Sequence, residues 1–266
     1  METVTIAGVE TSRFILGSNP FSGFSHQGRD RDLEMKRYYT VARIKETLFE
    51  AERLGITTII ARTDFHVMRM LLEYHDEGGK LQWFAQTCPG VGPQEMCVRR
   101  AASMNARACH VHGGVVDNWL AQGQMDQVQP AVDMIRDLGM LAGIAGHNVG
   151  VFQWAEQHLD CDYYMCSYYN PTSRDVTPEH VHGAEEKYRE EDREAMTQLI
   201  GTLSRPVIHY KVLAAGRNDP TEALGVVART MRPNDAVCVG VYTADDPKML
   251  EKDVALFEEA LASEKS

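Results

Sequence analysis

The sequence predicts an α/β fold, a single (β/α)8 barrel over residues 1–266, and three observations point to it. Apolar runs of four to six residues alternate with amphipathic stretches of ten to seventeen, the pattern of βα units around a parallel sheet. The alternation continues through eight strand–helix pairs. No composition break or linker divides them, so one closed barrel is more economical than an open doubly wound sheet.

"RFILG" opens the first unit, and Thr40 then caps a helix over "VARIKETLFEAERL". Val41, Ile44, Leu48, Ala51 and Leu54 recur there at helical spacing, and Gly55 stands where a left-handed residue ends the helix. "ITTIIA" (56–61) and "LQWFAQT" (81–87) are the next strands, with helical "HVMRMLLEY" between them and "PQEMCVRRAASM" after them. "RACHVH" is the fourth strand. The helix "QVQPAVDMIRDL" ends on Gly139, and "MLAGIA", a short helix around "VFQWAEQHL" and the strand "YYMCS" follow. "REAMTQLIGTL" precedes the strand "PVIHY", "PTEALGVVARTM" precedes "AVCVG", and "DPKMLEKDVALFEEALA" closes the chain. Two connections, 18–39 and 170–190, are long, and both lie on the strand-to-helix side where barrel enzymes keep their chemistry. They are expected to act as functional loops or lids.

A formal net charge of −11 argues against nucleic-acid and anionic-membrane partners, because such binding needs clustered Lys and Arg. No apolar run approaches the ~18 residues of a membrane span. The start lacks the features of a signal peptide, and the six cysteines show no paired short spacing, so they read as reduced thiols in a cytoplasmic protein. The expected partner is a small-molecule substrate.

The polar residues at the strand ends are the candidates for chemistry: Asp64, His66, Gln86, His110, His112, His147, Tyr169, His209 and Lys211 among them. In "ACHVHGG" a strand of period two puts His110 and His112 on one face, and it puts His209 and Lys211 together likewise. His66, His110, His112 and His147 are candidate ligands for a divalent metal such as Zn, Mn or Fe, or else acid/base groups near neutral pH. Lys211 suits a Schiff base or an oxyanion contact. The charged run 183–194 reads as a solvated loop leading into a helix.

An ordered series of segments resembles the aldo/keto reductase superfamily: "SRFILGSNPFSGF", "HVHGG", "LGMLAGIAGHN", "YYNP", "YKVLAAGR" and "AVCVGVYTADDPKMLEKDVALFEEAL". The resemblance covers most of the chain and implies a TIM barrel. Of the family's Asp, Tyr, Lys and His around a carbonyl, it carries over only the histidine, as His112. "IIARTDFHVMRM" holds neither the aspartate in place nor a tyrosine, and the lysine falls near Cys88 in "AQTCPG". The family's last βα loop holds the phosphate of NADP, and here "VYTADDPK" offers Lys248 against Asp245 and Asp246, whose repulsion disfavours that phosphate.

The leading expectation is an enzyme that has exchanged hydride transfer for acid/base or metal-assisted chemistry of lyase or isomerase type on a small sugar-like or carbonyl substrate. His112 would be general acid/base or ligand, Lys211 the oxyanion partner, Asp64 the orienting carboxylate and Tyr169 a substrate contact. The alternatives are an NAD(P)H-dependent oxidoreductase, with His66 or Tyr210 as proton donor, and a non-catalytic binding barrel.

Overall fold

The computed structural model describes residues 1–181 and 185–265. Eight parallel strands close into a barrel: β3 (Phe14–Gly17), β4 (Thr58–Arg62), β5 (Gln82–Gln86), β6 (Ala108–Val111), β7 (Leu141–Gly146), β8 (Tyr163–Ser167), β9 (Val207–Tyr210) and β10 (Ala236–Gly240), with β10 pairing back onto β3. These are the eight strands expected, within two residues at their ends. An antiparallel hairpin, β1 (Thr3–Ile6) and β2 (Val9–Ser12), precedes them and was not expected. Its Val4 and Ile6 join the barrel's inner cluster with Ile15, Ile60, Phe84 and Ile208. Gln82 donates to the Glu10 carbonyl at 2.8 Å, so the hairpin seals the end where the strands begin.

The helices lie outside the sheet because each has one apolar face. In α2 (Val41–Arg53) that face is Ile44, Leu48 and Ala51, all fully buried. Each of the two larger side chains is worth roughly 1.5–3 kcal/mol of transfer free energy. Thr40 Oγ1 caps α2 by accepting from the Arg43 N–H. The remaining outer helices of the expected pattern are α3 (Phe65–Asp76), α4 (Gln94–Ser103), α6 (Val128–Asp137), α7 (Val149–His158), α8 (Glu190–Ile200), α9 (Pro220–Thr230) and α10 (Met249–Glu264). All six cysteines are buried free thiols. Among the described residues no helix is long and apolar enough to cross a membrane.

Two further helices depart from the sequence reading. The connection 18–39 contains a 3-10 turn at Pro20–Ser22 and α1 (Arg29–Tyr38), a strongly charged helix whose Asp32 and Met35 are buried. α5 (Gly113–Ala121) starts at the two glycines of "HVHGG", a helix absent from the pattern of strands and helices read in the sequence. The connection 170–190 stays irregular through its described part and lies against α5: Asn118 and Gln122 donate to the carbonyls of Arg174 and Asp175, each at 2.6 Å. Residues 183 and 184 of the charged run lie outside the described residues.

Candidate active site

A cavity of about 570 Å³ opens where the barrel strands end, between the two long connections. His112, Gly113, His147, Tyr210 and Lys211 line it, with Arg62 and Arg174. β6 ends at Val111, so His112 becomes the N-cap of α5, and its Nδ1 accepts from the Gly114 N–H at 3.0 Å. That bond fixes the tautomer: the ring's proton is on Nε2, a donor. Burial holds the His112 pKa well below its ordinary value, with His147, Arg174 and Arg62 adding to the effect, so the ring is neutral at pH 7.

His147 follows β7 and is fixed in the opposite tautomer. Its Nδ1 lies 2.6 Å from Asp117 Oδ2, and a carboxylate there can only accept, so the proton is on Nδ1. Asp117 also accepts from the backbone N–H groups of His147 at 3.0 Å and Asn148 at 3.1 Å, locking α5 to the end of β7. Tyr210 Oη stands 3.2 Å from His147 Nε2 and 3.2 Å from the Gly146 carbonyl. Burial lowers the His147 pKa against the opposing pull of Asp117, and raises that of Tyr210 well above its ordinary value. The phenol therefore stays protonated and His147 Nε2 keeps a lone pair.

The two glycines are where these groups meet. A Cβ on Gly113 would stand 2.9 Å from Tyr210 Oη and 3.0 Å from His147 Cε1. One on Gly114 would run into the Pro178 carbonyl oxygen of the 170–190 connection. The pair leaves room for the imidazole–phenol pair on one side and for the covering loop on the other.

Lys211 reaches the cavity by a break in the strand pattern. His209 points outward, 3.0 Å from Tyr168 Oη and 3.4 Å from Asp235, whereas Lys211 has φ 56° and turns away from the strand. The expected shared side for these two residues is corrected accordingly. The Lys211 ammonium lies 3.1 Å from His26 Nε2, and His26 Nδ1 lies 2.8 Å from Glu186 Oε1. Burial brings Lys211 down to about 8 and His26 to about 4, Lys211 adding to the latter. Burial works the other way on Glu186, but hydrogen bonds from His26 and Tyr188 hold it at about 2.

The sequence candidates separate into groups. His112, His147 and Lys211 line the cavity. His110 shares the inward side with His112 but is fully buried beneath it, between Tyr163 Oη at 3.1 Å and Gln86 Oε1 at 3.4 Å. His66 is exposed on α3, so the four histidines considered as a metal set do not converge. Among the described residues, three ligand atoms come within 4.8 Å of one another only at His26, His180 and Glu186. There both nitrogens of His26 are engaged, one donating to Glu186 and one accepting from Lys211. Asp64 caps α3 through the Val67 N–H at 2.9 Å and holds Arg62 at 3.1 Å, outside the cavity wall. Tyr169 is buried and holds Asn218 at 2.7 Å rather than facing the cavity. Asp117, Arg62 and Arg174 were missed. Arg62 ends β4 but stands beside Asp64 and reads as its partner, Arg174 is a lone cation in a long connection, and Asp117 carries no local signal beyond the unusual placement of an acid in the apolar stretch "GGVVDNWLA".

No family model matches the sequence, and no curated protein matches it. Solved structures match over nearly the whole chain. One assigned to the aldo-keto reductases in Pseudomonas aeruginosa has TM-score 0.65 and 19% identity, covering 97% of this chain and 96% of its own. The fold is that of the aldo-keto reductases. The aldo-keto reductase of Bacillus halodurans in its holo form has TM-score 0.62 and 10% identity, covering 97% and 91%. The N-acetylmannosamine-6-phosphate 2-epimerase of Clostridium perfringens has TM-score 0.58 and 14% identity, covering 93% and 96%.

The loop after β10, where the resemblance to aldo-keto reductases leads to an expected dinucleotide phosphate, has its donors engaged. The Thr243 N–H goes to Tyr39 Oη at 3.1 Å, and that of Lys248 goes to Asp246 Oδ1 at 2.9 Å. Asp245 does not repel an anion as the sequence suggests, because Arg31 pairs with it, and Lys252 pairs with Asp246 at 2.5 Å. Two of its backbone N–H groups and the cations Arg31 and Lys252 are thus engaged within the protein, a poor fit to a dinucleotide phosphate.

Proposed function

We propose that this chain is an enzyme that moves a proton at the carbon beside a carbonyl, an isomerase or lyase step, on a small sugar-like substrate. One observation carries the reading: His112 and His147, both neutral, flank Gly113 in opposite tautomers and line the same cavity. His147 Nε2 is the base. It takes the proton from carbon, and the imidazolium that forms is stabilised by Asp117. The Nε2–H of His112 donates to the carbonyl oxygen, where negative charge develops as the enolate forms, and Lys211 adds positive charge. Return of the proton to the former carbonyl carbon, with the proton of the adjacent hydroxyl passing to the original carbonyl oxygen, completes an isomerisation; expulsion of a hydroxyl from the next carbon, which takes the proton held on His147 and leaves as water, completes a lyase reaction. One structure of similar fold is named a 2-epimerase, which is isomerase chemistry.

The test is incubation of the protein in D2O with a panel of aldoses, ketoses and their acid and phosphate derivatives, followed by proton NMR. The expected result is loss of a signal beside the carbonyl of at least one compound, abolished in His147→Ala and His112→Ala. Absence of exchange across the panel together with saturable NADPH binding would replace this reading with a redox one.

A further inference from the structure

Resting on that reading, and narrowing its substrate class, we propose that the substrate carries an oxyanionic group, a carboxylate or a phosphate, seated on Arg174 with Arg62 and Lys211 beside it. The chain has 38 acidic against 27 basic residues, yet four cations, Arg31, Arg62, Arg174 and Lys211, line this cavity. The other cavity cations have anionic company. Arg31 pairs with Asp245, Arg62 with Asp64 at 3.1 Å, and Lys211 adjoins the His26–Glu186 pair.

Arg174 differs. It is 9% exposed, and its guanidinium donates to one backbone carbonyl, that of Glu179 at 2.7 Å; among the described residues no carboxylate pairs with it. Its backbone is fixed as well, by Asn118 at 2.6 Å. Arg174 lines the same cavity as His112, His147, Tyr210 and Lys211, and its charge acts on all four. A guanidinium held out of water without a counter-ion is costly unless a ligand supplies one, and its planar fork suits two oxygens of a carboxylate or phosphate. Arg62, which also acts on His112, lies on the same wall.

The experiment is isothermal titration of the full chain, in low-salt buffer free of phosphate, with inorganic phosphate, malonate and glucose. Binding of phosphate or malonate, weakened at least tenfold in Arg174→Gln and only partly restored in Arg174→Lys, which keeps the charge but loses the fork, is expected. Phosphate binding without malonate binding assigns a phosphorylated substrate, and the reverse assigns a carboxylated one. Failure of both anions to bind, or equal binding in Arg174→Gln, overturns the proposal. Should Arg174→Gln not fold, Arg62→Gln serves, with a severalfold loss expected and unchanged affinity overturning it. Binding needs no turnover, so anion binding without deuterium exchange would sink the proposed reaction and leave this site standing, and exchange without anion binding would do the converse.

Discussion

His110 makes the fold sensitive to acid, and the size of the effect follows from its surroundings. The ring is fully buried inside the barrel, with Tyr163 Oη at 3.1 Å and Gln86 Oε1 at 3.4 Å as its partners, and burial lowers its pKa from 6.5 to about 3. In the unfolded chain the same group regains a proton near pH 6.5. Because the folded pKa is the lower one, the unfolded state binds more protons below 6.5, and stability is full above that pH and lost as pH falls toward 3. Between pH 7 and pH 5 the loss from this one group is about 2 kcal/mol, at roughly 1.4 kcal/mol per unit. Urea denaturation followed by circular dichroism at the two pH values, in the wild type and in His110→Gln, isolates it. The other buried histidines are common to both proteins and cancel, as does any fixed cost of the substitution. The wild type should lose about 2 kcal/mol more than the variant on acidification. Equal losses would show that His110 is protonated in the fold or solvated, and the burial argument would fail.

Gly114→Ala forces the Pro178 carbonyl away, so the 170–190 connection should become a preferred site of limited proteolysis, with an overall destabilisation of about 1–3 kcal/mol. Asp117→Asn removes the carboxylate that raises the His147 pKa, so His147 should titrate lower by NMR, and the protein should lose about 2 kcal/mol through weakened charge-assisted hydrogen bonds. NADPH titration should give no saturable nicotinamide fluorescence, because two of the backbone donors after β10 are engaged within the protein. A hyperbolic signal would refute that statement. Elemental analysis of the untagged protein should find no stoichiometric Zn, Mn or Fe, because the three-group cluster has both His26 nitrogens engaged.

The barrel was legible because its strands are short apolar runs punctuated by capped amphipathic helices, and both signals are local. Thr40 and Gly55 marked α2 for that reason. α1 and α5 were hidden for opposite reasons. α1 is so heavily charged that its two buried positions make no stripe, and α5 opens on two glycines that normally break a helix and are present here for space. At the site, strand periodicity placed His110 and His112 on one side. It misplaced Lys211 because a single left-handed residue ends the alternation. Asp117 and Arg174 were invisible because their importance arises only when α5, β7 and the 170–190 connection come together.

The most direct measurement is a long-range proton–nitrogen correlation spectrum of the histidine side chains near pH 7.5, assigned with His112→Gln and His147→Gln. The account predicts His112 with its proton on Nε2 and His147 with its proton on Nδ1, both neutral. Finding the same tautomer for both, or an imidazolium at either position, would contradict it.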